Sequence, residues 1–218
     1  ANGTKNCEIK GYMDAETFLS KISAGIDPKM SLKAMEERYN KGERTPELVN
    51  AWALHYMEQG KEKEGFAIIK QYYESLKEKQ LLKPENAFLF TRYTMTVTEP
   101  MGAFMVAHRN DFDPSVRPAI MKRIQALYHS DVNTYFSGYR WSQKKFVQAD
   151  YQALKAKIIE LGLDKDYNYA SVFRLIETRV ATADDAGFFN ACKEEYDRLA
   201  PSDQTLLMLN LTRLITTD

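Results

Sequence analysis

The stretch that decides the fold is residues 45–80, which run TPELVNAWALHYMEQG and then KEKEGFAIIKQYYESLKEKQ. Thr45-Pro46 is a helix-start signal, because a threonine hydroxyl caps a helix whose first position suits proline. The apolar residues that follow share one wide helical face up to Gly60, a typical helix-ending residue. A second helix is predicted over 61–80. Two helices joined by so short a link predict a helical hairpin.

The hairpin carries a specific order of large and small residues. Trp52 is followed directly by the small Ala53, Tyr56 lies one turn further on, and Gly65 falls where the two helices would approach closely. On these residues the segment Val49–Tyr72 resembles a tetratricopeptide repeat. The resemblance implies stacking, because a single helix pair of this kind cannot bury its apolar face alone. We therefore expect Gly65 to face Trp52, Ala53 or Tyr56.

Helical spacing continues on both sides of the hairpin. A preceding helix is predicted from Asp27-Pro28 to about Gly42, and a buried helix within 84–110 that breaks near Glu99. The next helix is predicted from Pro118 to about Tyr128, and a loop over Asn133–Trp141 follows it. Four more helices are predicted after this loop, from a Ser142 cap to Gly162, around Val172–Val180, around Phe188–Leu199 and after a Ser202 cap. The predicted fold class is mostly α, an α-solenoid-like array of antiparallel helix pairs with about nine or ten helices.

The first residues follow a different pattern. Asn2-Gly3 is a two-residue hairpin signal, an extended-looking run leads to Gly11-Tyr12, and a short helix over 15–24 follows. This order resembles the closing strand–strand–helix of a thioredoxin-like fold. The predicted domains are a remnant of that fold over 1–26, with a short β-hairpin, and a helical-repeat domain over 27–218.

The thioredoxin-like resemblance implies a thiol–disulfide oxidoreductase or a relative of one. Proteins of this family are often exported to the bacterial envelope, so we expect a periplasmic or otherwise exported location. The family uses a C-x-x-C at a helix start and a cis-proline opposite it, and neither is expected in these residues. No catalytic residue is carried over, and only Gly11 matches a family position beside the substrate groove. The chain as given is expected to be inert as an enzyme, with any signal peptide absent or already removed.

Composition excludes several classes of function. Lys and Arg together number 30, Asp and Glu number 30, and 44 % of the residues are hydrophobic, as in a globular protein. With no net charge to steer an acidic polymer, nucleic-acid binding is not expected. No apolar run approaches the roughly 20 residues of a membrane-spanning helix.

The residues that usually carry chemistry are few and scattered. Cys7 and Cys192 are nearly a chain length apart in the sequence, which predicts separate, reduced thiols. The alternative is a disulfide between them if the protein resides in an oxidising compartment. His55, His108 and His129 have no second ligand at helical spacing, so no metal site is predicted. No phosphate-binding or hydrolase motif is present, so no cofactor is predicted.

One loop concentrates side chains suited to binding. Four aromatic rings and a guanidinium fall within seven residues, as Tyr135, Phe136, Tyr139, Arg140 and Trp141. Such a cluster could stack on a sugar or hold a peptide. The alternative, which we favour, is that these rings fill the joint between two helix pairs.

The sequence favours a helical-repeat module that packs against or binds a protein partner or client polypeptide, at the carboxy-terminal end of a thioredoxin-like thiol–disulfide oxidoreductase. The competing hypothesis is a ligand-binding protein of the bacterial envelope, with the aromatic loop as its sugar or peptide site. The sequence upstream of Ala1 would separate the two, because a C-x-x-C there supports the first hypothesis.

Overall fold

The structure is a computed structural model that describes Lys29 and residues 31–136, 146–165, 167–181 and 185–216. These residues form eleven α-helices, three short 3-10 turns and no strand. The mostly helical prediction is therefore confirmed for the described part of the chain. The predicted β-hairpin and thioredoxin-like remnant over 1–26 lie outside it.

The helices follow one another with short links. In chain order they are α1 (Leu32–Asn40), α2 (Pro46–Glu58), α3 (Glu62–Ser75), α4 (Glu78–Leu81), α5 (Ala87–Tyr93), α6 (Pro100–Ala107), α7 (Arg117–Phe136), α8 (Gln148–Glu160), α9 (Tyr169–Ala181), α10 (Asp185–Glu195) and α11 (Pro201–Thr216). The 3-10 turns are Pro84–Asn86, Leu163–Lys165 and Tyr196–Arg198. The fold divides into two compact units, the first ending at Arg123 and the second beginning at Ile124.

The predicted hairpin is formed by α2 and α3. Thr45 caps α2, because its hydroxyl accepts a hydrogen bond from the amide of Leu48 at 3.4 Å. Gly60 takes a positive φ of 76° in the link, a conformation that favours glycine. Gly65 is buried where the helices meet and faces Ala53 and Met57, which confirms its predicted place at a close approach.

The helix predicted over 61–80 is shorter in the structure. It ends at Ser75, because the backbone becomes extended at Leu76 and Lys77, and α4 begins at Glu78. Lys70 and Glu74, one turn apart on α3, form an ion pair in which Nζ and Oε1 lie 3.8 Å apart.

The single buried helix predicted within 84–110 is instead two helices. Pro100 starts α6 instead of only breaking a helix, since proline suits the first helical turn. Between α5 and α6, the Glu99 carboxylate accepts hydrogen bonds from the amides of Met95 at 2.5 Å and Thr96 at 3.1 Å. Gly102 lets α6 pack directly on this link, because a Cβ there would collide with the Thr96 carbonyl oxygen.

Helix α7 starts where Pro118 predicts a start, but it continues to Phe136. The prediction of a loop from Asn133 is therefore wrong over 133–136. The apolar face of the helix extends to its end, because Val132 and Tyr135 are buried like Ile124 and Tyr128. Four-three spacing of this kind favours continued helix.

Helices α8 to α11 form most of the second unit, and the predicted cap of the last one needs correction. Val147 is exposed and precedes α8. Phe189 is 45 % exposed, whereas Phe188 and Cys192 on the same helix are buried. Ser202 lies inside α11 and does not cap it, because the helix begins at Pro201. The predicted Ser142 cap lies outside the described residues.

Within the described ranges, no helix combines the length and hydrophobicity that a bilayer crossing requires.

Candidate functional site

The predicted aromatic loop is only partly described. Tyr135 and Phe136 lie in the last turn of α7, where their side chains are 3 % and 4 % exposed. The Tyr135 ring packs edge-on against Tyr151 of α8, with ring centroids 5.5 Å apart. Tyr135 and Phe136 are therefore buried between helices and present almost no surface to a ligand. Tyr139, Arg140 and Trp141 lie outside the described residues.

A groove in the first unit is the strongest candidate site. Three helices line it, with Glu36, Tyr39 and Asn40 from α1, Trp52 and Tyr56 from α2, and Glu64, Ala67, Ile68 and Gln71 from α3. We call it the Trp52 groove. Its volume is about 350 Å³, and it opens to solvent. This volume lies within the range of small ligand sites, which is about 300–1,000 Å³.

The floor of the Trp52 groove is aromatic. Trp52 is 8 % exposed, and its ring centroid lies 5.2 Å from that of Tyr56 and 6.0 Å from that of Tyr39. His55 stacks against the indole at 5.4 Å. Because neighbouring rings hold the indole in place, the floor is formed before any ligand arrives. Preformed aromatic surface lowers the entropy cost of binding.

The rim of the Trp52 groove is made of polar side chains that have no hydrogen-bond or ion-pair partner among the described residues. Glu36, Asn40, Glu64 and Gln71 are exposed, and their side chains form no hydrogen bond or ion pair with another described residue. Two carboxylates accept hydrogen bonds, and two amides both donate and accept them. This donor and acceptor set suits the backbone of a bound polypeptide together with one polar side chain.

Sequence analysis singled out two residues of this groove, but as part of the repeat-like hairpin and not as a binding site. Trp52 and Tyr56 stand out as repeat-type core residues, whereas the contributions of α1 and of Glu64 and Gln71 were not predicted. The spacing of Glu64 and Gln71, seven residues apart on α3, places them on one helical face. That face becomes a groove wall only because α1 packs nearby, which a local pattern does not reveal.

A second polar centre lies in the second unit. The Nε2 atom of His129 is 3.1 Å from Oδ1 of Asp203, and its Nδ1 atom is 3.1 Å from the Tyr169 hydroxyl. The Tyr167 ring stacks on the imidazole at 3.9 Å. Asp203 is fully buried, and apart from this His129 contact its carboxylate oxygens have no polar partner among the described residues. Across the described residues, no group of three His, Cys, Asp or Glu side chains is arranged to hold a metal ion.

Cys192 is a poor nucleophile in this fold. The thiol is free and buried in α10, and burial raises its pKa to about 11. Nucleophilic attack requires the thiolate, which is therefore scarce near neutral pH. Cys7 lies outside the described residues.

No family model, no curated protein and no solved structure matches this chain. The thioredoxin-like and tetratricopeptide-like resemblances consequently stay predictions.

Proposed function

We propose that this chain is a helical protein-interaction module that binds a polypeptide segment in the Trp52 groove. The observation that carries the proposal is a preformed aromatic floor beneath a rim of exposed side chains that have no partner in the described part of the chain. Tyr39, Trp52 and Tyr56 offer apolar contact area at a low cost in side-chain entropy. Asn40 and Gln71 offer the paired donors and acceptors that an extended backbone requires.

The helical hairpin supports the same proposal at the level of architecture. We propose that α2 and α3 form one repeat-like unit of a stacked array in the first unit, with α1 packed beside it. Stacked helix pairs create continuous grooves, and such grooves serve as extended binding surfaces. The arrangement of α1, α2 and α3 around the Trp52 groove is consistent with this role.

We also propose that the module belongs to an exported, thioredoxin-like thiol–disulfide oxidoreductase and holds a client or partner polypeptide for it. The support is the strand–strand–helix pattern over residues 1–26 and the match at Gly11. The check is the coding sequence upstream of Ala1. A C-x-x-C at a predicted helix start there would support the proposal, and an upstream sequence without one would contradict it.

A peptide titration followed by NMR tests the binding function. Isotope-labelled protein is titrated with a pool of random heptapeptides, and the backbone amide signals are followed. We expect saturable shifts that cluster on α1, α2 and α3 at the groove residues. An absence of shifts, or shifts confined to other helices, would contradict binding in the Trp52 groove.

A matched pair of variants sharpens the test. Ala67 is an exposed groove residue, so Ala67→Leu should fill part of the groove and weaken binding by about tenfold, equivalent to about 1.4 kcal/mol. Ala103 is exposed on α6 and does not line the groove, so Ala103→Leu should leave the affinity unchanged. Equal effects of both substitutions would count against the assignment.

A further inference from the structure

We propose that the segment bound in the Trp52 groove is basic and presents a lysine or arginine side chain to Glu36 and Glu64. This inference rests on the proposed binding function and adds the chemical class of the partner. It follows from three features of the groove, namely the charge of its lining, the aromatic faces beneath that charge and the way nearby cations already use those faces.

The charge of the lining is one-sided. The whole chain has no net charge, with 30 basic and 30 acidic residues. Among the described residues, the groove is lined by Glu36 and Glu64 and by no lysine or arginine. Neither carboxylate has a partner among the described residues, so a cation that enters displaces no existing ion pair. A cationic side chain is therefore the complementary charge.

The aromatic lining favours the same occupant. The face of an aromatic ring carries negative potential, and an ammonium or guanidinium group placed over a tryptophan or tyrosine is attracted to it. Trp52, Tyr56 and Tyr39 lie beneath the acidic rim. A lysine or arginine has an aliphatic stem for this floor and a charged head for the carboxylates.

Two cations of this chain already show that these rings accept such groups. The guanidinium carbon of Arg44 lies 3.5 Å from the centroid of the Tyr39 ring. The Nζ atom of Lys61 lies 5.7 Å from the centroid of the Tyr56 ring. Neither side chain lines the groove, and Arg44 is held by hydrogen bonds to the carbonyl oxygens of Tyr39 and Glu43. These contacts leave the two carboxylates of the groove to a partner.

Fixed-position peptides test the inference. Four heptapeptide pools are compared, each with one central residue, which is lysine, arginine, norleucine or glutamate. Norleucine keeps the aliphatic stem of lysine without its charge, so it isolates the charge contribution. We expect the lysine and arginine pools to bind at least about fivefold more tightly than the norleucine pool, with an advantage that shrinks as salt is added.

Charge-removing variants connect the preference to the groove. Glu36→Gln combined with Glu64→Gln should reduce the lysine-over-norleucine preference to about one. The control combines Glu37→Gln with Glu62→Gln, which removes the same charge from neighbouring exposed positions of α1 and α3 outside the groove lining. The control should keep the preference. Circular dichroism should show the same helix content for both double variants, because all four side chains are exposed.

The outcomes separate the two proposals. Equal binding of the lysine and norleucine pools, or tightest binding of the glutamate pool, would overturn the basic partner and leave the binding function standing. A preference that survives removal of Glu36 and Glu64 would also overturn it. No binding of any pool in the groove would overturn the binding function, and this inference with it.

Discussion

Gly65 is the residue that lets α2 and α3 approach each other closely. A Cβ atom added there would lie 2.6 Å from Cγ of Met57 and 2.8 Å from the carbonyl oxygen of Ala53. The flexible Met57 side chain can move, but the Ala53 carbonyl belongs to the backbone of α2. Any side chain at this position must therefore push the two helices apart.

Gly65→Ala should lower the free energy of unfolding by about 1–3 kcal/mol, because overpacking outweighs the gain of about 1 kcal/mol in helix propensity. Urea denaturation followed by circular dichroism measures the change. Ala67→Gly is the control, since Ala67 is exposed on the same helix and should lose only the propensity term. A Gly65→Ala variant more stable than the parent would mean that the helices do not meet at this residue.

At the scale of elements, a side chain eleven residues beyond the end of α3 ties that helix to the one that follows it. The Tyr72 hydroxyl donates a hydrogen bond to Oδ1 of Asn86 at 2.9 Å, and Nδ2 of Asn86 donates one to the carbonyl oxygen of Gln80 at 2.9 Å. Asn86 is buried. From the 3-10 turn that precedes α5, the Asn86 amide therefore joins α3 to α4.

Asn86→Ala should cost about 1–3 kcal/mol, because it leaves the buried Tyr72 hydroxyl without its acceptor and removes one of the hydrogen bonds to the Gln80 carbonyl. A double-mutant cycle with Tyr72→Phe measures the coupling between the two side chains, which we expect to be at least about 0.5 kcal/mol. Asn110→Ala is the control, since Asn110 is an exposed asparagine, and it should change stability by no more than about 0.5 kcal/mol. Purely additive effects of the Tyr72 and Asn86 substitutions would contradict this role.

At the scale of the whole molecule, stability should depend on pH through buried and paired carboxylates. Glu195 at the end of α10 is 2 % exposed and accepts a hydrogen bond from the Ser171 hydroxyl of α9 at 2.6 Å. It also pairs with Arg174 and Arg198. The Ser171 hydrogen bond, with help from the two guanidinium groups, lowers the pKa of this carboxyl below its usual range. Protonation therefore favours the unfolded chain.

The contribution of Glu195 should be complete above about pH 6 and should be lost as the pH falls below about 4 towards the lowered pKa. Glu195→Gln should cost about 1–3 kcal/mol near neutral pH, and this cost should shrink in acid. Urea denaturation at several pH values measures both effects. Glu194→Gln is the matched control, because its carboxylate is exposed and should contribute less than about 1 kcal/mol. A cost that stays constant with pH would contradict the assignment.

Local signals in the sequence determined much of the helical architecture. Thr45-Pro46 and Gly60 delimit α2 because capping and positive φ are properties of a few adjacent residues. The apolar stripe of α2 and the glycine at position 65 predicted a tightly packed hairpin, because both are also features of short stretches of sequence. These features need no information about distant parts of the chain, so a local pattern is sufficient to predict them.

Tertiary structure alone decided where a site forms, and tertiary contacts accompany two helix ends that the sequence prediction placed elsewhere. Near the end of α3, Tyr72 donates a hydrogen bond to the distant Asn86, and in the last turn of α7 the Tyr135 ring packs against Tyr151 of α8. The Trp52 groove exists because three helices bring Glu36, Trp52 and Glu64 to one surface. The apolar pattern that marks a helix face is the same whether that face fills a core or lines a groove. Only the position of the neighbouring helices distinguishes the two, and that position is a property of the whole fold.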